Sequence, residues 1–296
     1  MSLNKNWLKV SIQVEGADPE EVAGALAHHL GGAVQVDEDG EDQPIIRAWL
    51  PEYPEGRDKA RNLTVELGAV FPESEITLVE ITETADEDWM AQWRKTVKPI
   101  TMGERILVVP TFDRPPPGHG RMEVVLDPGM AFGSGHHPST ELCAMALESY
   151  TGRRILDIGC GSGILAIIAA LLGAEMVLGV DTDPEAVKAA SDNVELNNVA
   201  DKIGLAICGP QGVRGAFDVI TANLFLNAHL ALAGEYRRLT APGGRAILSG
   251  LKNDQAKSAA VRMGDAGFTL EKSMEKEGWT GLVFARVGSV DSTAQR

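Results

Sequence analysis

Residues 155–163 read Ile-Leu-Asp-Ile-Gly-Cys-Gly-Ser-Gly, and they set the pattern for the chain around them. An apolar run stops at three alternating glycines, and a second apolar run, Ile164 to Leu172, then resumes with helical length. A strand, a tight turn and a helix start in that order form the first unit of a doubly wound α/β sheet. Glycine at 159, 161 and 163 lets backbone come close to a ligand, and the helix N-terminus beyond it presents unpaired N–H groups. Such a turn by itself suits NAD, FAD or S-adenosylmethionine equally.

Its neighbours narrow the choice. The glycines run G-x-G-x-G, whereas the dinucleotide fingerprint is G-x-G-x-x-G. Asp157 lies in the strand just before the turn, where a carboxylate meets the ammonium of a methionine moiety. Met176-Val-Leu-Gly-Val-Asp181 is a second apolar strand ending in an acid, which suits the two ribose hydroxyls of a nucleoside. The unit resembles the nucleotide half of class I S-adenosylmethionine-dependent methyltransferases, with dinucleotide binding as the rival.

At 296 residues the chain is long for one domain and comfortable for two. Its net charge of −15 argues against direct gripping of nucleic acid through phosphates. The acid is concentrated: residues 1–85 hold 17 Asp/Glu against 6 Lys/Arg. An excess of that sign steers a basic partner towards it, or simply keeps the surface soluble. Three cysteines (143, 160 and 208) form no C-x-x-C pair, as expected in a reducing cytoplasm without structural zinc. No run of 18 apolar residues and no signal-peptide core is present, so no membrane partner is expected.

From the start, alternation over Trp7–Val14, Ala33–Val36, Ile45–Leu50 and Ile76–Ile81 marks strands. Helices are expected from about Asp18 to Leu30 and from about Asp58 to Ala69. The order β-α-β-β-α-β predicts a small ferredoxin-like α+β domain over residues 1–84. Residues 85–100 read as a linker helix, with Trp89 and Trp93 on one face as packing anchors. The third part, residues 101–290, is the α/β domain with its sheet ending in an antiparallel strand. There Ile106–Val109 and Met122–Leu126 look like paired strands around a Pro/Gly-rich loop. Asp127 to Thr140 carries three glycines, two prolines and two histidines, and Thr140 stands at the expected N-cap of a helix from about Glu141. The adjacent histidines are not spaced for chelation, and no metal is expected. Later elements alternate regularly, and Phe217–Asn223 is a strand whose polar end lies at the ligand-binding edge. Thr269–Met274 and Trp279–Val287 make a terminal hairpin, followed by a tail.

Together, Phe132-Gly-Ser-Gly-His-His-Pro-Ser-Thr140, the glycine turn, Asp181-Thr-Asp-Pro184 and Ala222-Asn-Leu224 resemble the bacterial ribosomal protein L11 methyltransferases over nearly the whole chain. Departures fall at Ser134, His136 and Ser139, and at Phe225-Leu-Asn-Ala after the strand-end Asn. The resemblance implies S-adenosylmethionine held by Thr140, Gly159, Asp181 and Asn223, beside Asp157, Gly161 and Gly163 from the turn. It also implies transfer to lysine amines, with the N-terminal α-amine as a further target. Asn223 and the Leu224 carbonyl are the groups that would aim the acceptor amine. The implied partner is a basic ribosomal protein, held by the acidic first domain; a monomer is expected. A related branch methylates lysines of other proteins. That alternative stays open, as do a small-molecule amine acceptor and a cofactor-binding regulator without turnover.

Overall fold

In the computed structural model, the described residues are 6–17, 19, 22–23, 25–26, 34–37, 44–51, 56–85, 98–116, 118–127, 137–150 and 152–288. They fall into two compact units that divide after Lys98. The expected linker helix, with Trp89 and Trp93, lies outside the described residues. So do most of the expected helix over 18–30, residues 38–42 of the acidic turn, residues 128–136 of the loop before His137, with Ser134 and His136, and the tail after Gly288.

The first unit is a four-stranded sheet ordered β2-β3-β1-β4. Its strands are β1 (Asn6–Glu15), β2 (Val34–Asp37), β3 (Ile45–Pro51) and β4 (Glu75–Ala85), with α1 (Gly56–Val70) between the last two. All three pairings are antiparallel, which is the ferredoxin-like arrangement expected from the element order. Leu8, Val10, Ile12 and Val14 put every second side chain of β1 on the buried face. Ala60, Leu63 and Leu67 bring one stripe of α1 onto the same core, as do the helical residues Val22 and Leu26.

The second unit begins with a small sheet, β5 (Ile100–Met102), β6 (Ile106–Pro110) and β7 (Met122–Leu126), in that order. Strand β5 is too short to show a period in the sequence. The β6–β7 pair is parallel, because the Pro/Gly-rich connection is long enough to carry the chain back across the sheet.

A seven-stranded sheet follows, ordered β10-β9-β8-β11-β12-β14-β13. Its strands are β8 (Arg154–Ile158), β9 (Met176–Asp181), β10 (Ile203–Ile207), β11 (Phe217–Asn223), β12 (Thr240–Lys252), β13 (Phe268–Lys276) and β14 (Trp279–Arg286). The first five are mutually parallel, and β14 inserts antiparallel between β12 and β13. Glu277 and Gly278, both at positive φ, make the two-residue turn that right-twisted hairpins favour.

The helices are α2 (Pro138–Ser149), α3 (Ile164–Leu171), α4 (Pro184–Leu196), α5 (Leu226–Leu239) and α6 (Ala256–Asp265). One core joins α2, α3 and Val194 of α4 to one face of the sheet; α5 and α6 cover the other face. Seven of the eight α3 residues are buried, as an all-apolar helix requires. Among the described residues no helix is long and apolar enough to cross a membrane.

Candidate active site

The sheet changes direction between β8 and β11, which are neighbours although two βα units separate them in sequence. Ligands bind at such switch points, outside the carboxyl ends of the strands. Asp157, Gly159, Gly161, Gly163, Asp181, Asn223 and Leu224 all lie on strand ends, or the turns after them, along this edge. Thr140 joins them from the first turn of α2, where its hydroxyl accepts a hydrogen bond from Asn223 Nδ2 at 3.2 Å.

The glycine turn has φ of 70°, 51° and 78° at Gly159, Gly161 and Gly163. At Gly159 the demand is steric as well as conformational. A Cβ there would sit 2.6 Å from Leu224 Cδ2, so the bare backbone is what admits the Leu224 side chain. The turn is pinned to β9 by Asp181, whose Oδ2 accepts from the Gly161 N–H (3.0 Å) and whose Oδ1 accepts from the Asp183 N–H (3.1 Å). Each carboxylate oxygen keeps a further lone pair, and the group is 6% exposed at the edge.

Asp157 is fully buried. Its Oδ1 accepts from the Thr221 hydroxyl at 2.7 Å, while Oδ2 has no hydrogen-bond partner of good geometry. Burial pushes its pKa up to about 7; the Thr221 hydroxyl opposes this, the Asp181 charge adds to it, and the Ala166 N–H gives a weak opposing pull. A carboxyl group in that state gains from a cation placed at its free oxygen. Asn223 Oδ1 is the second buried oxygen without a partner, on the adjacent strand end.

The N-cap of α2 is His137, not Thr140. The chain turns helical already at Pro138, which suits the first helical position because it has no N–H to leave unpaired. His137 Nδ1 accepts from the Ser139 N–H at 3.2 Å, so the 2.6 Å contact from the Ser139 hydroxyl is a donation to the same nitrogen. The ring stands edge-on to Trp279 with centroids 4.3 Å apart. Burial first, and the Lys252 charge second, push its pKa down to about 4, which keeps it neutral. Thr140 therefore sits two residues inside the helix, which frees its side chain to face Asn223 rather than close the helix end.

Several residues at this edge carry no signal in a one-dimensional reading. Thr221 reads as an ordinary strand residue. Asn193 donates to the Ser162 carbonyl (2.9 Å) and accepts from the Asp127 N–H (2.9 Å), tying the glycine turn to the end of β7. Gly250 has φ of 83°, and a Cβ on it would lie 2.5 Å from the Leu224 carbonyl oxygen and 3.0 Å from Asn223 Oδ1. An isolated glycine within a strand marks a bulge or a close approach, the one clue the sequence offered. Buried His229 is the fourth such residue.

This strand order, with the last strand antiparallel and an acid-flanked glycine turn at the switch point, defines the class I S-adenosylmethionine-dependent methyltransferase fold. The family model described as ribosomal protein L11 methyltransferase (PrmA) matches residues 6–287. The chain belongs to that family. A relative named ribosomal protein L11 methyltransferase from Geobacter sp. (strain M21) is 32% identical over 96% of this chain and 99% of its own length. One of the same name from Escherichia fergusonii is 34% identical over 92% and 97%. The solved structure of a ribosomal protein L11 methylase from Lactobacillus delbrueckii subsp. bulgaricus superposes with a TM-score of 0.60 at 30% identity. It covers 64% of this chain and 98% of its own.

Proposed function

We propose that this protein transfers methyl groups from S-adenosylmethionine to lysine amines of ribosomal protein L11, with the N-terminal α-amine as a further acceptor. The observation that carries the reading is the pair of buried, unpaired oxygens, Asp157 Oδ2 and Asn223 Oδ1, at neighbouring strand ends of a chain that matches the family over residues 6–287. These residues fit a cationic, hydroxyl-bearing cofactor. Asp157 would hold its ammonium, Asp181 its ribose hydroxyls, and the backbone at Gly159, Gly161 and Gly163 the chain between them, with Thr140 closing over the site. When bound, the sulfonium supplies an activated methyl group whose leaving group needs no acid.

The protein's own contribution is position and the exclusion of water. A lysine amine has an ordinary pKa near 10.4, so it must lose a proton before it can attack. Entry into a dry site beside a positive charge lowers that pKa without a dedicated base. Asn223 Oδ1 and the Leu224 carbonyl would accept N–H bonds from the amine and aim its lone pair. The acidic first unit would hold the basic substrate protein as an electrostatic platform and present its lysines. Such an enzyme would work in the cytoplasm, as a monomer, without itself gripping nucleic acid.

The test is incubation of the protein with labelled S-adenosylmethionine and purified L11, followed by mass spectrometry of the product. Methylated lysines are expected. Label on another protein or a small amine, with none on L11, would replace the substrate and leave the chemistry standing.

A further inference from the structure

We propose, resting on the methyltransferase reading above, that His229 is a positioning residue that sets the Asn223–Leu224 strand end through the carbonyl of Ser249. His229 lies in the first turn of α5 and is 1% exposed. Its Nε2 is 2.9 Å from the Ser249 carbonyl oxygen, which can only accept, so Nε2 carries the proton. Nδ1 is then bare and accepts from the buried Tyr236 hydroxyl at 3.1 Å, two helical turns further along. Both the tautomer and the ring plane are thereby fixed. Burial pushes the pKa down to about 4 against weaker upward pulls from the Ser249 and Leu224 carbonyls, and the positive end of α5 disfavours the imidazolium further.

The same Ser249 carbonyl accepts the Leu224 N–H at 3.1 Å, the last rung between β11 and β12. Two donors therefore converge on one oxygen, one from the helix behind the site and one from the site itself. Beside it, β12 carries one extra residue between Leu248 and Leu251 relative to β14, and Gly250 forms the kink. Gly250 backs directly onto the Leu224 carbonyl, with no room for a Cβ. A bulge of this kind leaves its extra residue outside the ladder and bends the strand, so a hydrogen bond from outside the sheet adds to what holds the Ser249 carbonyl beside it. His229 supplies that tie. Without its donor, the Ser249 lone pair and the Tyr236 hydroxyl are both left unpaired in the interior.

Two substitutions and one measurement on the unaltered protein test this. His229→Leu keeps the bulk and removes the donor; His229→Gln places an amide N–H near the position of Nε2. Displacing reacting groups by about 1 Å costs up to ~100-fold, so the Leu variant is expected to lose at least ~10-fold in kcat. Its Kd for S-adenosylmethionine should change by less than about 3-fold, and the Leu224 amide should exchange faster with solvent; Gln should restore both kcat and protection. A Leu variant that turns over at the wild-type rate overturns the assignment whatever its melting temperature. So does a loss that Gln fails to restore, which belongs to packing alone. Nitrogen-15 histidine spectra of the wild type, with the His229 signal identified by its loss in the Gln variant, should show the Nε2–H tautomer from pH 6 to 8. The Nδ1–H tautomer overturns the proposal even where the Leu variant does not fold. The tautomer and exchange readings need no substrate, so a wild type that fails to methylate L11 counts against the substrate and not against His229.

Discussion

Asp157 concentrates the electrostatic tension of the site: a buried carboxyl with one oxygen satisfied by Thr221 and the other facing no donor of good geometry. With its pKa pushed up to about 7, the folded protein holds this proton more tightly than the unfolded chain does. Its contribution to stability is therefore present at low pH and is lost as pH rises from the ordinary carboxylate range through about 7. Asp157→Asn is expected to raise the melting temperature of the ligand-free protein at pH 8 more than at pH 5. The same change should cost more than ~10-fold in S-adenosylmethionine affinity, since a charge-assisted hydrogen bond contributes about 1.5–3 kcal/mol. Thermal unfolding and calorimetry at the two pH values check both halves, and equal melting shifts would reject the buried-charge account. Asn223 has a different signature. Its amide is committed to Thr140 while its oxygen is free, so Asn223→Ala should lower kcat ~10-fold or more and weaken cofactor binding less. Equal losses in kcat and affinity would make it a cofactor contact only.

At the scale of elements, the site is made by three departures from regular structure: the glycine turn after β8, the early start of α2 and the bulge in β12. The first and third are held by side chains from elsewhere in sequence, and the second by the residue directly before the helix. Asp181 pins the first, His137 caps the second, and His229 ties the third. Gly250 is the most demanding point. With φ of 83° and a would-be Cβ 2.5 Å from the Leu224 carbonyl, Gly250→Ala must move backbone rather than a flexible side chain. It is expected to destabilise the protein by about 1–3 kcal/mol, and to lower kcat more than the melting shift alone explains. Chemical denaturation with kinetics at a temperature well below unfolding separates the two effects. Gly234, in α5, has nothing within 4 Å of its would-be Cβ and serves as the control.

At the scale of the whole molecule, the acidic charge belongs mainly to one end of the chain. Residues 1–85 carry 17 acidic against 6 basic side chains, while the methyltransferase unit is near balance. Steering of a basic substrate by that charge weakens once the Debye length falls below about 10 Å, near 0.1 M salt. Raising salt from 0.02 to about 0.3 M should therefore lower kcat/KM for the protein substrate several-fold and leave the cofactor Kd nearly unchanged. Neutralising exposed Glu73, Glu75 and Glu80 to Gln should flatten the salt dependence and raise KM. A kcat/KM indifferent to salt, with the three Gln changes silent, would leave the charge as a matter of solubility.

Periodicity in the sequence made most of the architecture legible. Alternation over β1 and the apolar blocks around Ile155–Leu172 are local patterns with one stable solution each, and they carried both fold types and the order of the elements. The places of Asp157, Asp181 and Asn223 followed, because a polar residue closing an apolar strand must emerge at the sheet edge. Cap and partner were harder to read. Thr140 and His137 both flank Pro138, and Pro138 in the first helical position, with the Ser139 N–H donated to His137 Nδ1, makes His137 the cap. Strand β5 is three residues long and exists because β6 lies beside it. His229 reads as one polar position on an amphipathic helix, and its meaning comes from a carbonyl 20 residues away, next to the kink at Gly250. Short-range pattern is enough to determine which segments are strands and helices. Which buried hydrogen bonds they exchange depends on chain segments meeting in space, and that only the tertiary structure decided.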